Sequence, residues 1–271
     1  VDDSEALEVT CIQSITGTVS PAGLARKRPF RRPHHTVSPA GMLGGGNPPM
    51  PGEVTLAHRG VLYLDEFCEF RPQVIESLRG PMEDGFIIVS RSSGRVSFPS
   101  RFMLIASANP CPCGYLGDPE RACVCQGASL MRYRRRLAGP VIDRIDIQIE
   151  VPRVRRSDLA RPVAFLTSDS VRHEIEHARE RQSERFCRNG FTNSAMGPRH
   201  IESIARLAPE ARRLLLDAVD QMALSARAYH KLIRVSRTIA DLDGVDSVGE
   251  GHVLEALQYR TLDSEPQAVL S

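Results

Sequence analysis

Short apolar runs dominate the first half of the chain, and helical stripes dominate the second. Residues 61–64, Val-Leu-Tyr-Leu, are continuously apolar with turn-forming residues ahead of them, the pattern of a strand buried in a parallel sheet. Residues 102–108 read as a second buried strand, 145–151 as a third, and 53–57 as a further short one. Between them, 72–83 reads as a helix. Residues 86–98 hold two strand-like runs joined by Arg-Ser-Ser-Gly-Arg, a hairpin with a basic tip. Residues 2–16 predict a helix: Asp2, Asp3 or Ser4 can cap it, acids fill its first turn, and Leu7, Cys11, Ile12 and Ile15 make an apolar face. The segment 26–51, rich in Arg, Pro, His and Gly, predicts a long structured loop, and loops of that length in a compact domain are usually functional. An arginine-rich helix is expected over 129–137. From 168 onward only helices are predicted, over 170–188, 198–207, 209–223, 226–243 and 249–260. The polar stretch 152–168, with Pro152 and Pro162, sets a boundary between an α/β part, residues 1–157, and an all-helical part, residues 158–271.

Composition adds bounds to this pattern. At 271 residues, with 41% hydrophobic and 25% charged residues, the chain has enough length and apolar content for a full soluble core. No apolar run approaches the roughly 18 residues that cross a bilayer, and the N-terminal residues lack signal-peptide character, so a cytoplasmic protein without a membrane partner is expected. The net charge of +2 argues neither for nor against a polyanionic partner. Its composition is uneven: of 35 basic residues only Lys27 and Lys231 are lysines, which leaves 33 arginines, clustered at 26–32 and 132–136. Arginine binds phosphate bidentately, although genome composition produces the same excess.

The run 61–64 ends in two adjacent carboxylates, Asp65 and Glu66, the outline of a Walker B strand. Ligands of open α/β sheets lie at the carboxyl ends of the strands, where a metal-bound triphosphate would meet both acids. Asp65 can hold Mg2+ through its water shell, and Glu66, on the opposite side of the strand, can orient or deprotonate the attacking water. The bland alternative is that the dipeptide ends a strand and caps the next helix. Seven cysteines without secretory character argue for metal or reduced thiols over a disulfide framework. Four fall together, Cys111, Cys113, Cys123 and Cys125, and either supply a tetrahedral zinc site or remain reduced structural thiols. Cys11, Cys68 and Cys187 read as buried or incidental, and His34 and His35 as structural hydrogen-bonders.

The order of these features resembles the AAA+ ATPases of the helix-2-insert group, and within it the magnesium-chelatase-like ComM/YifB family. The resemblance rests on Arg31-Arg-Pro-His-His35, Pro51-Gly-Glu53, the run from Leu56 to Glu66, Asn109-Pro-Cys-Pro-Cys-Gly-Tyr115 and the run from Leu224 through Arg227 to Leu242, and it covers nearly the whole chain. It implies an α/β fold, a partial AAA+ P-loop core followed by a helical lid. It implies ATP and Mg2+ as cofactors, with Asp65 and Glu66 in the Walker B roles and Asn109 as the sensor 1 residue at the γ-phosphate. Arg144 would be the arginine finger offered to the neighbouring subunit, and Arg227, as sensor 2, would couple nucleotide state to the lid. The loop 26–51, with Arg31 and Arg32, and the hairpin tip, with Arg91 and Arg95, would contact single-stranded or branched DNA through its phosphates, independently of sequence. The assembled form would be a homo-oligomeric ring, a hexamer, that moves along DNA.

One departure limits that expectation. No Gly-x4-Gly-Lys-Ser/Thr occurs in the chain, and neither Lys27 nor Lys231 lies in a glycine-rich loop followed by a hydroxyl residue. In the family the Walker A loop precedes a helix like residues 2–16, so the chain reads as truncated at its start, its sheet as incomplete, and its residues as inactive in hydrolysis alone. The alternatives are a non-catalytic remnant that binds DNA or a partner, and, more weakly, a magnesium-chelatase subunit acting on a porphyrin.

Overall fold

The computed structural model of the protein describes residues 2–21, 23–91, 94–137, 140–154, 167–187 and 191–260. It comprises two compact units, residues 1–145 and 146–271. Most of the expected boundary stretch, residues 155–166, lies outside the described residues.

In the first unit, helix α1 (Asp3–Ile15) is capped by Asp2, whose carboxylate accepts from the Glu5 N–H at 2.7 Å. Its buried face is Ala6, Val9 and Ile12, with Glu5; of the expected face Ile12 is buried, whereas Leu7, Cys11 and Ile15 are exposed. A three-stranded parallel sheet follows in the order β1 (Phe30–Arg31), β4 (Val61–Leu64), β7 (Met103–Ala106). Leu62 and Leu64 are fully buried in a core with Met42, Val54, Phe67, Phe70, Val74 and Leu78. Each of these leucines contributes roughly 1.5–3 kcal/mol by leaving water. Gly60 lets β1 and β4 close up, since a Cβ there would stand 1.9 Å from the Pro29 carbonyl oxygen.

Several expectations change. Residues 53–57 form helix α3 (Glu53–Leu56), not a strand. Val54 and Ala57 are both buried, a helical i, i+3 spacing, and buried Thr55 breaks the alternation that a strand needs. The helix expected over 72–83 is two, α4 (Pro72–Ser77) and α5 (Arg79–Asp84), because Pro81 has no N–H for the Ser77 carbonyl. Strand β7 is not the fully buried strand expected: Leu104 and Ala106 pack partly buried against the core, whereas Met103 and Ile105 on the other face are 58% and 44% exposed. The segment 26–51 is not free of regular structure. It carries β1, a short helix α2 (Pro39–Leu43) capped by Ser38, and an antiparallel pair, β2 (Gly44–Gly45) with β3 (Met50–Pro51). The hairpin forms as expected from β5 (Phe86–Arg91) and β6 (Gly94–Pro99), with residues 92–93 outside the described residues. Helix α6 (Gly127–Arg136) is the expected arginine-rich one.

The second unit holds helices α7 (Ser168–Phe186), α8 (Pro198–Ile204), α9 (Pro209–Gln221), α10 (Ala226–Leu242) and α11 (Glu250–Gln258), close to the predicted spans. Their apolar faces meet around Leu215, Leu232, Ile233, Ala240 and Val253. The strand expected over 145–151 is reduced to one bridge, Gln148 with Arg260. Here Ile147, Ile149 and Val151 are exposed and Gln148 is buried, so the alternation faces the wrong way to seal a sheet. No described helix is long and apolar enough to cross a membrane.

Lys231, on α10, is buried, and its ammonium lies 3.4 Å from Asp146. Burial dominates and pushes the amine down from 10.5 to about 8, with Asp146 opposing. Between about pH 8 and the unfolded value near 10.5, the unfolded chain therefore carries more protons, so stability rises with pH across that window. Thermal melts of Lys231→Met should lose this rise relative to wild type; an unchanged slope would place the titration elsewhere.

Candidate functional site

Parallel register builds the site. Leu64 lies opposite Ala106, so the next residues, Asp65 and Ser107, leave the two strands side by side. Two backbone bonds carry the ladder past the strand ends: the Ser107 N–H donates to the Leu64 carbonyl at 3.0 Å, and the Phe67 N–H to the Ser107 carbonyl at 2.8 Å. The Ser107 hydroxyl then donates to the Asp65 carboxylate at 2.6 Å, and the Tyr63 hydroxyl at 3.2 Å. The Arg32 guanidinium pairs with the other carboxylate oxygen and lies over the Tyr63 ring, 5.4 Å from its centroid. The Ser107 hydroxyl, followed by Arg32 and Tyr63, holds Asp65 below the usual carboxylate range. Asp65 is therefore a fixed anion at neutral pH, suited to a hard cation.

Glu66 has left the strand. Its backbone is left-handed, φ 53° and ψ 47°, a conformation that costs a non-glycine residue of order 1 kcal/mol and collects at functional sites. The turn, and not strand alternation, therefore sets the direction of its exposed carboxylate, which lies 3.5 Å from His35 Nδ1. His35 is held by His34, ring centroids 4.1 Å apart, and by the edge of Phe70.

The other expected residues distribute as follows. Asn109 lies two residues beyond Ser107 and is exposed; its carbonyl accepts from the Tyr133 hydroxyl at 3.0 Å. Arg144 is buried in a 3-10 turn (Ile142–Arg144) and pairs with Glu83 and the Pro140 carbonyl. Arg31 grips Glu53 with both nitrogens of its fork, at 2.7 and 2.8 Å, so it ties β1 to α3. Arg95 is exposed on the hairpin opposite Ser90, and Arg91 is paired through its backbone with Gly94. Arg227 is exposed in the first turn of α10 in the second unit, after the Ser225 cap. Cys111, Cys113, Cys123 and Cys125 come together with their sulfurs within 4.8 Å of one another. The N–H groups of Tyr115 and Val124 lower the Cys113 thiol to about 6. Of the remaining cysteines, Cys68 is buried, and Cys11 and Cys187 are exposed.

Sequence reasoning missed Ser107, Tyr63 and Glu83, and read His35 as a structural hydrogen-bonder without placing it beside Glu66. Ser107 was findable: it is the polar residue that follows the apolar run of the adjacent strand, as Asp65 follows its own. Tyr63 was findable too, since it lies two residues before Asp65 on the same strand, whereas the contacts of Glu83 and His35 are long-range and no local pattern carries them.

The magnesium chelatase subunit ChlI family model matches residues 1–159, and the model of the ChlI C-terminal region matches residues 166–260. The competence protein ComM of Haemophilus influenzae is 40% identical over 262 residues, which cover 96% of this chain and 50% of that protein. YifB of Escherichia coli is 38% identical over 265 residues, 97% of this chain and 51% of that protein. The magnesium-chelatase 38 kDa subunit of Rhodobacter capsulatus is 27% identical over 210 residues, 75% of this chain and 51% of that protein. The chain thus spans about half the length of the curated relatives it matches.

Proposed function

Because this chain belongs to the magnesium chelatase ChlI family, in its ComM/YifB group, we propose that it is the Walker B and sensor portion of a ring-forming ATPase that acts on DNA. The observation that carries the reading is the adjacent pair Asp65 and Glu66 at the carboxyl end of β4, with Asp65 anchored from the next strand by Ser107. The likeness to a competence protein, ComM, favours DNA over a porphyrin as the partner.

In this reading Asp65 would hold a hydrated Mg2+, and the ion would supply charge neutralisation for a bound triphosphate. The site fits a hard cation: an exposed carboxylate, ionised and oriented by two hydroxyl groups, gives one oxygen ligand and leaves room for water. Arg32 now neutralises that carboxylate and has to turn away when the metal is held, which ties its loop to the occupancy of the site. Glu66 orients the attacking water, with His35 fixing one side of its carboxylate. Asn109, three residues past the end of β7, is the residue proposed to meet the γ-phosphate. Arg144, tied in cis to Glu83, would need to exchange that partner to reach a neighbouring subunit's nucleotide. Arg227 serves as sensor 2. Contact with DNA phosphates falls to the hairpin arginines, Arg91 and Arg95, more than to Arg31, whose fork is committed to Glu53.

The 271 residues contain no Gly-x4-Gly-Lys-Ser/Thr, so the phosphate cradle is proposed to come from another segment. The test is steady-state ATP hydrolysis with and without DNA, on these residues alone and on a polypeptide that carries such a loop ahead of them. Background activity alone, and Mg2+-dependent, DNA-stimulated turnover with the loop, is the expected result. Turnover by these residues alone that Glu66→Gln abolishes would overturn the need for the loop. No turnover in the longer polypeptide, with DNA binding retained, would favour a non-catalytic binding module.

A further inference from the structure

The segment between β7 and α6 is mostly polar and lacks regular structure over 107–126, yet it is folded around four sulfurs. Cys111 is buried, and Cys113, Cys123 and Cys125 are half-buried; none is in a disulfide. Cys111 Sγ lies 3.4 Å from Cys113 Sγ and 3.7 Å from Cys123 Sγ, and the last two are 3.6 Å apart. These separations are far too long for an S–S bond of about 2.05 Å. A tetrahedral zinc with Zn–S arms of about 2.3 Å requires sulfurs about 3.8 Å apart, close to the spacing of these three, and the Cys125 sulfur lies within 4.8 Å of the others. The arrangement is also too tight for a multi-iron cluster, whose thiolates bind different irons. Among single divalent ions in a four-thiolate cage, zinc outcompetes iron.

The backbone completes the argument. The N–H groups of Tyr115 and Val124 point at Cys113 Sγ, the kind of donor that stabilises a metal-bound thiolate from outside the cage. Gly114 follows the first pair at φ 80°, and its N–H donates to the Cys111 carbonyl at 3.0 Å, which folds Cys111 and Cys113 back onto one point. Arg121 lies over the Tyr115 ring, 4.1 Å from its centroid, and joins the two halves of the loop.

We propose that Cys111, Cys113, Cys123 and Cys125 hold a structural zinc ion that folds this loop. The site lies two residues after Asn109, and α6 begins two residues after Cys125. Tyr133 of that helix reaches back to the Asn109 carbonyl, so the zinc fixes the far ends of a segment that presents Asn109. Zinc binding at this place does not depend on the ATPase reading.

The test is elemental analysis of the protein purified without added metal or chelator. About one equivalent of zinc per chain is expected, lost in the Cys111→Ser/Cys123→Ser variant. Since that variant could fail to fold, cobalt exchange into the wild-type chain is the second measurement; it should give the intense visible bands and thiolate charge-transfer absorption of a tetrahedral four-thiolate site. Metal-free protein whose four thiols react freely, and whose thermal midpoint does not move with zinc or chelator, would overturn the proposal. So would iron in place of zinc.

Discussion

Asp241→Ala should destabilise the helical unit by about 3–5 kcal/mol, the cost of stripping the partner from buried charges. Asp241 is fully buried on α10 and meets two guanidinium groups. Arg237, one helical turn back and itself fully buried, reaches it at 3.0 Å. Arg185 of α7 grips both carboxylate oxygens, and Asn193 Nδ2 donates to one of them at 2.8 Å. Arg237 also donates to the carbonyls of Val245 and Asp246, which closes the loop after α10. Removing the one carboxylate leaves two cations facing each other in a low-dielectric interior, where repulsion and lost solvation act together. A loss of that size moves the melting midpoint of a unit this small by about 10 °C or more. Asp241→Asn, which keeps one acceptor oxygen but neither the second nor the charge, should fall between. Thermal and urea unfolding followed by circular dichroism read all three proteins; a loss of under about 1 kcal/mol in Asp241→Ala would mean that water already screens the pair.

Much of the fold was legible because its signals are local. The helices of the second unit were found to within a few residues at each end, since each begins at a Ser, Thr, Gly or Pro boundary and most carry an apolar stripe of helical period. The strand at 61–64 and the hairpin were found for the same reason. The errors share a cause: a short apolar run has no period of its own. Val54 and Thr55 look like strand residues until packing beside α2 makes them helical. Residues 145–151 alternate correctly but turn the apolar side outward. Of the site, Asp65 and Glu66 were legible because strand ends are. Its electrostatics were not: the Asp65 contact with Arg32 spans 33 positions and that with Ser107 spans 42. Arg31 and Arg32 look alike in sequence, yet one is tied to Glu53 and the other to Asp65, because adjacent residues on an extended segment face opposite ways. The buried Asp241 cluster joins residues from 185 to 246 and gave no signal at all.

The second large effect belongs to the carboxylate pair. In a polypeptide that hydrolyses ATP, Glu66→Gln should lower turnover by about 10²–10⁴-fold, the usual contribution of a positioned general base. Nucleotide affinity should change little, because the substitution keeps the shape of the side chain and the left-handed backbone already accommodates a Cβ at this position. Asp65→Asn should behave differently. It removes the charge that Ser107, Tyr63 and Arg32 all address, so the loss should appear first as weakened Mg2+ dependence. Ser107→Ala separates the two effects further. Without the hydroxyl that most depresses the Asp65 carboxyl, its pKa should rise toward the ordinary value, and activity should fall off at a higher pH on the acid side than in wild type. The measurements are turnover against Mg2+ concentration and against pH for the three variants, with nucleotide binding followed in parallel. If Glu66→Gln lost nucleotide binding as fully as turnover, Glu66 would be a ligand of the metal or the phosphates and not the residue that orients water. If instead Asp65→Asn and Glu66→Gln gave the same Mg2+ dependence, the division of labour drawn from the one residue that stays on the strand and the one that turns off it would be wrong.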